Sequence, residues 1–72
     1  MDKKLTDEQK GFLKLVERSM KGREWATVSD VLMFMTKRVV GEMPDYLELD
    51  VEQQLIRPTE KGYALLDAMK VL

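Results

Sequence analysis

Seventy-two residues, 44% of them apolar, with a net charge of −1, suffice for one small domain and exclude two, because a chain of about 60 residues buries only about 60% of its unfolded surface. Neither cysteine nor histidine is present, which excludes a disulfide framework, a thiolate nucleophile, zinc or haem ligation and histidine acid/base chemistry. The longest apolar run, Val31 to Met35, is far short of the roughly 20 residues a membrane span needs, and Met1 to Lys4 hold no apolar signal core, so a cytoplasmic protein is expected.

The first element starts at Thr6, which can cap a helix while Gln9, three residues on, reaches back to form a capping box. Residues 1–5 are expected to be disordered. Phe12, Leu13, Val16 and Met20 recur at helical spacing, and Gly22 is placed to take a left-handed closing position, which predicts helix 1 over 7–20. A short link carries Trp25, expected to plug the core beside the next helix. Thr27 with Asp30 repeats the capping logic and predicts helix 2 from about Val28 to Val40, ended by Gly41. At about 100° per residue, Val28, Val31, Leu32, Met35 and Val39 share one arc and are expected to face the core, with Met33 and Val40 turned the other way, where packing against helix 1 or the last helix is the default reading and a self-association surface the rival.

Periodicity does not settle residues 44–54, because Leu47, Leu49 and Val51 alternate as a strand would. A helix is the preferred reading. Pro44 suits a first helical turn, Asp45 follows where the dipole favours an anion, and a hairpin would have to turn at Glu52, Gln53 and Gln54 without Gly, Asn or Asp. Leu55 to Pro58 then form a short extended piece, and Thr59 caps a last helix with Tyr63, Leu65, Leu66, Met69 and Leu72 as its apolar residues.

The run Val51-Glu52-Gln53-Gln54-Leu55-Ile56-Arg57-Pro58-Thr59-Glu60-Lys61-Gly62-Tyr63 resembles the junction of recognition helix, wing and C-terminal helix in winged-helix (helix-turn-helix) domains of bacterial and archaeal transcription regulators. The resemblance implies a mainly α fold, or α+β if the short strand is counted: a winged-helix-like domain of four helices spanning residues 1–72. Only Arg57 and Pro58 separate Ile56 from Thr59, so the wing is expected to be short or missing. The helix aligned with the DNA-reading helix carries Asp45, Glu48, Asp50 and Glu52 and no basic residue, whereas duplex affinity comes largely from Lys and Arg.

That chemistry points to a small non-enzymatic regulatory protein working through protein–protein contact. On a helical wheel with Leu47 and Val51 inward, Asp45, Glu48 and Glu52 surround Leu49, with Tyr46 nearby, an apolar anchor in a charged rim. Such a surface fits a protein partner with a basic face and would suit an adaptor, or an inhibitor of a nucleic-acid enzyme. The alternative is a dimeric DNA-binding transcription regulator that uses Lys10, Lys14, Lys37 and Arg38, since residues 1–41 carry nine basic and six acidic groups while 42–72 carry three and seven. Tyr63, Met69, Val71 and Leu72 offer an apolar surface for a homodimer. No cofactor, metal or catalytic residue is expected: Ser19 and Ser29 have no base in sight, and a carboxylate hydrolase would need a cleft.

Overall fold

The computed structural model describes residues 4–70. In chain order these form α1 (Asp7–Met20), β1 (Ala26–Thr27), α2 (Asp30–Glu42), β2 (Leu47–Asp50), β3 (Leu55–Pro58) and α3 (Glu60–Lys70). The α1 start follows from its capping box: Thr6 Oγ1 accepts from the Gln9 N–H at 3.1 Å while the Thr6 N–H donates to Gln9 Oε1 at 2.9 Å. The left-handed closure falls on Lys21 and Gly22 together. Leu5, within the segment expected to be disordered, packs against the core, and Met1 to Lys3 lie outside the described residues.

The second helix begins later than expected. Ala26 and Thr27 pair with Leu55 and Ile56 of β3, and the Val28 N–H donates to the Gln54 carbonyl at 2.8 Å. Those bonds hold the backbone extended, so Thr27 cannot cap, and Ser29 stands at the N-cap without a side-chain bond. Gly41 does not end α2, which runs on to Glu42.

Residues 44–54 do not form a helix. Pro44 lies in the turn leaving α2, and β2 and β3 form an antiparallel hairpin with Leu47 opposite Pro58 and Leu49 opposite Ile56. Two side chains supply the turn chemistry: Asp50 Oδ1 accepts from the Gln53 N–H at 3.0 Å, and Gln54 takes a left-handed conformation at φ 57. Gln54 Nε2 then donates to the Val28 carbonyl at 3.1 Å and to Asp30 Oδ1 at 2.6 Å, tying the hairpin to the start of α2. The described chain is therefore α+β, with three helices and a three-stranded antiparallel sheet in the order β1-β3-β2. The expected mainly α, four-helix arrangement is overturned. A regular hairpin replaces the short or missing wing, and among the described residues one helix stands where a helix-turn-helix pair was expected.

Directly opposed residues of an antiparallel sheet share a face. Ala26, Ile56 and Leu49, with Leu47 and Pro58, look toward α1, α2 and α3, where Leu13, Val16, Met20, Val28, Met43 and Leu66 complete the core. Trp25 is not a core plug. It alternates onto the outer face of the sheet, half-buried beneath the Arg57 guanidinium 4.2 Å from its ring centroid.

The last helix is capped as the sequence predicts. Thr59 Oγ1 accepts from the Gly62 N–H at 3.1 Å and donates to the Asp45 carbonyl at 2.5 Å, while the Thr59 N–H donates to the Tyr46 carbonyl at 3.0 Å. This brings α3 onto the 43–46 turn so closely that a Cβ at Gly62 would collide with the Tyr46 carbonyl oxygen. Thr59 and Gly62 thus have separate jobs, one satisfying backbone groups and the other allowing the approach.

Candidate protein-contact surface

Without the third helix, the expected acidic site comes apart. Asp45 lies in the turn before β2 and Glu52 is exposed in the hairpin turn. Tyr46 is half-buried, with the Lys61 ammonium 5.5 Å from its ring centroid. Glu48 is on the outer sheet face, bonded to Arg57 Nε at 3.1 Å, whereas Leu49 looks to the other face and packs against the core. The strand period of two therefore separates the anchor from its rim, and Leu49 sits among apolar neighbours instead of carboxylates. No group of three such acidic residues is close enough to hold a metal ion among the described residues.

The basic positions are also divided. Lys10 and Lys14 lie on α1, with Lys10 half-buried, and Lys37 and Arg38 are exposed neighbours on α2. Of the terminal apolar surface, Tyr63 donates its hydroxyl to Met20 Sδ at 3.8 Å and Met69 is half-buried. Val71 and Leu72 lie outside the described residues.

The surface that stands out is on α2. Six of its thirteen residues are large and apolar in the run Val31 to Met35 plus Val39, and Val40 adds a seventh, yet the one fully buried residue of the helix is Thr36. Met33 and Val40, off the main arc of the wheel, pack against the core beside Thr36, in line with the default reading for them, and Val39, expected inward, joins them at the edge. The arc expected inward is split: Val28 is buried and Val39 packs against the core, whereas Val31 is 89% exposed and Leu32 and Met35 are about half exposed. Phe34, which no sequence argument assigned, is 81% exposed.

The cause is steric and topological. Gln54 pins the N-terminus of α2 through Asp30 and the Val28 carbonyl, and β2 lies beneath its other end, so the helix is rotated to set Met33, Thr36 and Val40 on the sheet. Leu32 and Met35 then face Leu15 of α1, itself about half exposed, across a groove of about 110 Å³ floored by Val16, Thr36 and Ile56. Ridge and groove together form one apolar surface from Phe34 over Met35 to Leu15. A helix apolar around most of its circumference is ordinarily buried on more than one side, and that signal was present in the sequence, since Met33 and Val40 fell outside the chosen arc.

Charge does not cover this surface. The ion pairs among the described residues join Arg57 to Glu24 and Glu48, and Lys70 to Glu17. None involves α2, whose own Asp30, Lys37, Arg38 and Glu42 sum to zero. No helix of the described residues is long and apolar enough to cross a membrane. Compared with known protein families, with curated proteins and with solved structures, the chain matches none.

Proposed function

We propose that this protein is a small non-enzymatic contact module whose working surface is the outward face of α2 with the adjoining groove to Leu15. The observation that carries the reading is the exposure of Val31 and Phe34, 89% and 81%, on a helix that is apolar on its core side as well. Contiguous apolar surface of this kind on a monomer marks an interaction site, because leaving it in water forgoes about 25 cal/mol per Å² that a partner would recover. The acidic residues, distributed over two turns and the outer sheet face, set the charge of the surroundings and do not form the contact.

The test is a photo-crosslinking side chain at position 34, with position 61 on α3 as control, in the living cells that make the protein. Protein adducts at 34 and not at 61 are expected. Absence of protein adducts at 34 overturns the reading. The transcription-regulator alternative draws on the adjacent exposed pair Lys37 and Arg38, and a titration against random duplex DNA decides it: binding with a steep salt slope, lost on reversing those two charges, would replace the contact reading by nucleic-acid binding.

A further inference from the structure

The outward stripe of α2 consists of Asp30, Val31, Phe34, Lys37, Arg38 and Gly41, all exposed, with Phe34 roughly opposite the buried Thr36. Its charges are placed symmetrically about the aromatic ring. Asp30 and Arg38 each lie four residues from Phe34, about 6 Å along the helix axis in opposite directions, and Asp30 is held in place by the Gln54 amide at 2.6 Å. Rotating a copy of this helix by a two-fold axis through Phe34 sets ring against ring, Asp30 beside the copy's Arg38, and Val31 under the aliphatic stem of the copy's Lys37. A parallel arrangement would place Asp30 beside Asp30 and Arg38 beside Arg38. Self-complementarity under a two-fold is what an isologous interface requires, and here charge selects the antiparallel register.

Resting on the contact reading above, we infer that the occupant of the α2 face is a second copy of this chain, joined by antiparallel α2 to α2 pairing centred on Phe34. The apolar side chains exposed on the stripe itself, Val31 and Phe34, offer on the order of 300 Å² per protomer, so that the two-fold charge register and the stems of Lys37 and Arg38 complete a seam below the roughly 1,000 Å² of a tight specific interface. The dimer is accordingly a weak and reversible one, with a dissociation constant on the order of 10 to 100 µM. Gly41, where a Cβ would meet nothing within 4 Å, leaves the ends of the seam open to the copy's β1 side.

Sedimentation equilibrium of the full chain across concentrations from about 1 µM to 1 mM, a range bracketing that constant, tests this. Mass rising to that of a dimer is expected, with Phe34→Asp weakening association by at least about thirtyfold. Arg38→Asp should weaken it by about tenfold at low salt, and mixing the Arg38→Asp chain with an Asp30→Arg chain should restore association as a heterodimer, because each seam then again pairs opposite charges. Far-ultraviolet circular dichroism of each variant guards against misfolding, and Lys61→Glu on α3 should leave the dimer unchanged. A monomer throughout, or a dimer insensitive to Phe34→Asp in folded protein, overturns the self-pairing. If the monomer is found while position 34 still crosslinks to a different protein, the self-pairing fails and the contact reading survives. If no protein adduct forms at all, both fail.

Discussion

The helices α1 and α2 have nearly the same length, 14 and 13 residues, and play opposite parts. In α1 the apolar residues form one stripe, and Leu13, Val16 and Met20 are buried from it while charges occupy the other side. In α2 the apolar residues surround the helix, and packing has to choose which of them to cover. It chose Met33, Val39 and Val40 beside the buried Thr36, leaving Val31 and Phe34 in solvent. A stripe states where a helix belongs in its own fold. A surplus beyond the stripe reports on something outside that fold, which is why α1 reads as structure and α2 as the candidate for function.

The largest expected effect separates the two helices by stability alone. Leu13→Ala in α1 removes a side chain with no exposed surface and should cost about 3–4 kcal/mol in urea unfolding, the transfer term plus a cavity. Phe34→Ala, measured at low micromolar concentration, should change stability by less than about 0.5 kcal/mol despite the greater volume deleted. A comparable loss at both positions would break the contrast.

The hairpin supplies the next effect. Leu47 and Leu49 share the core-facing side of β2, so Leu47→Ala should cost about 2–4 kcal/mol and Leu49→Ala about 1–2 kcal/mol, whereas a helix over 44–54 would have left Leu49 outside and nearly silent. The turn is next. Gln54→Ala should lose about 1–2 kcal/mol, since it removes the side-chain bonds to the Val28 carbonyl and Asp30 at the point where α2 is pinned. If α2 owes its rotation to that pin, amide exchange in its first turn should accelerate in this variant while α1 stays protected.

These expectations also show how much was legible in advance. The start of α1 and the start of α3 were, because Thr6 with Gln9 and Thr59 with Gly62 are local devices that act within a few residues. The hairpin was half legible: the alternation of Leu47 and Leu49 was visible, and the turn was missed because its chemistry comes from Asp50 just before it and from an anchored Gln54 in a left-handed conformation, in place of Gly or Asn within it. The clustering of Asp45, Glu48 and Glu52 around Leu49 required a helix over 44–54, and the strand β2 sets Glu48 and Leu49 on opposite faces. The α2 surface could not be placed from periodicity, because the wheel ranks arcs by apolar content, and packing split the richest arc, taking in Val28 and Val39 and leaving Val31, Leu32 and Met35 outside.

Glycines sharpen the comparison at smaller magnitude. Gly11 in α1 and Gly41 in α2 face open space at the Cβ position, so each change to Ala should stabilise the monomer by about 0.5–1 kcal/mol through helix propensity. Gly62→Ala has the same propensity gain and should nevertheless destabilise, by about 1–3 kcal/mol, because its Cβ meets the Tyr46 carbonyl. The sign difference among three helical glycines would show that the closeness of α3 to the 43–46 turn is a requirement of the fold.

The smallest effect concerns what fastens each helix beyond the core. α1 is joined to α3 by Lys70 Nζ and Glu17 Oε2 at 3.0 Å, and α2 has no ion pair among the described residues, its side-chain ties being the neutral donors Gln54 to Asp30 and Gln9 to Glu42. The hydrogen bond and charge of Glu17 hold the Lys70 ammonium above its ordinary value of 10.5. A lysine whose pKa is raised by folding contributes stability that is fully present below the unfolded value and is lost as pH climbs through the folded one. The urea midpoint should therefore fall slightly above pH 10.5, and Glu17→Gln should abolish that component of the fall. The pair is exposed, so the change is small, and its value lies in where it acts: exchange protection should drop at the contact of α1 with α3 and stay unchanged along α2, whose position depends on Gln54 and the sheet beneath it.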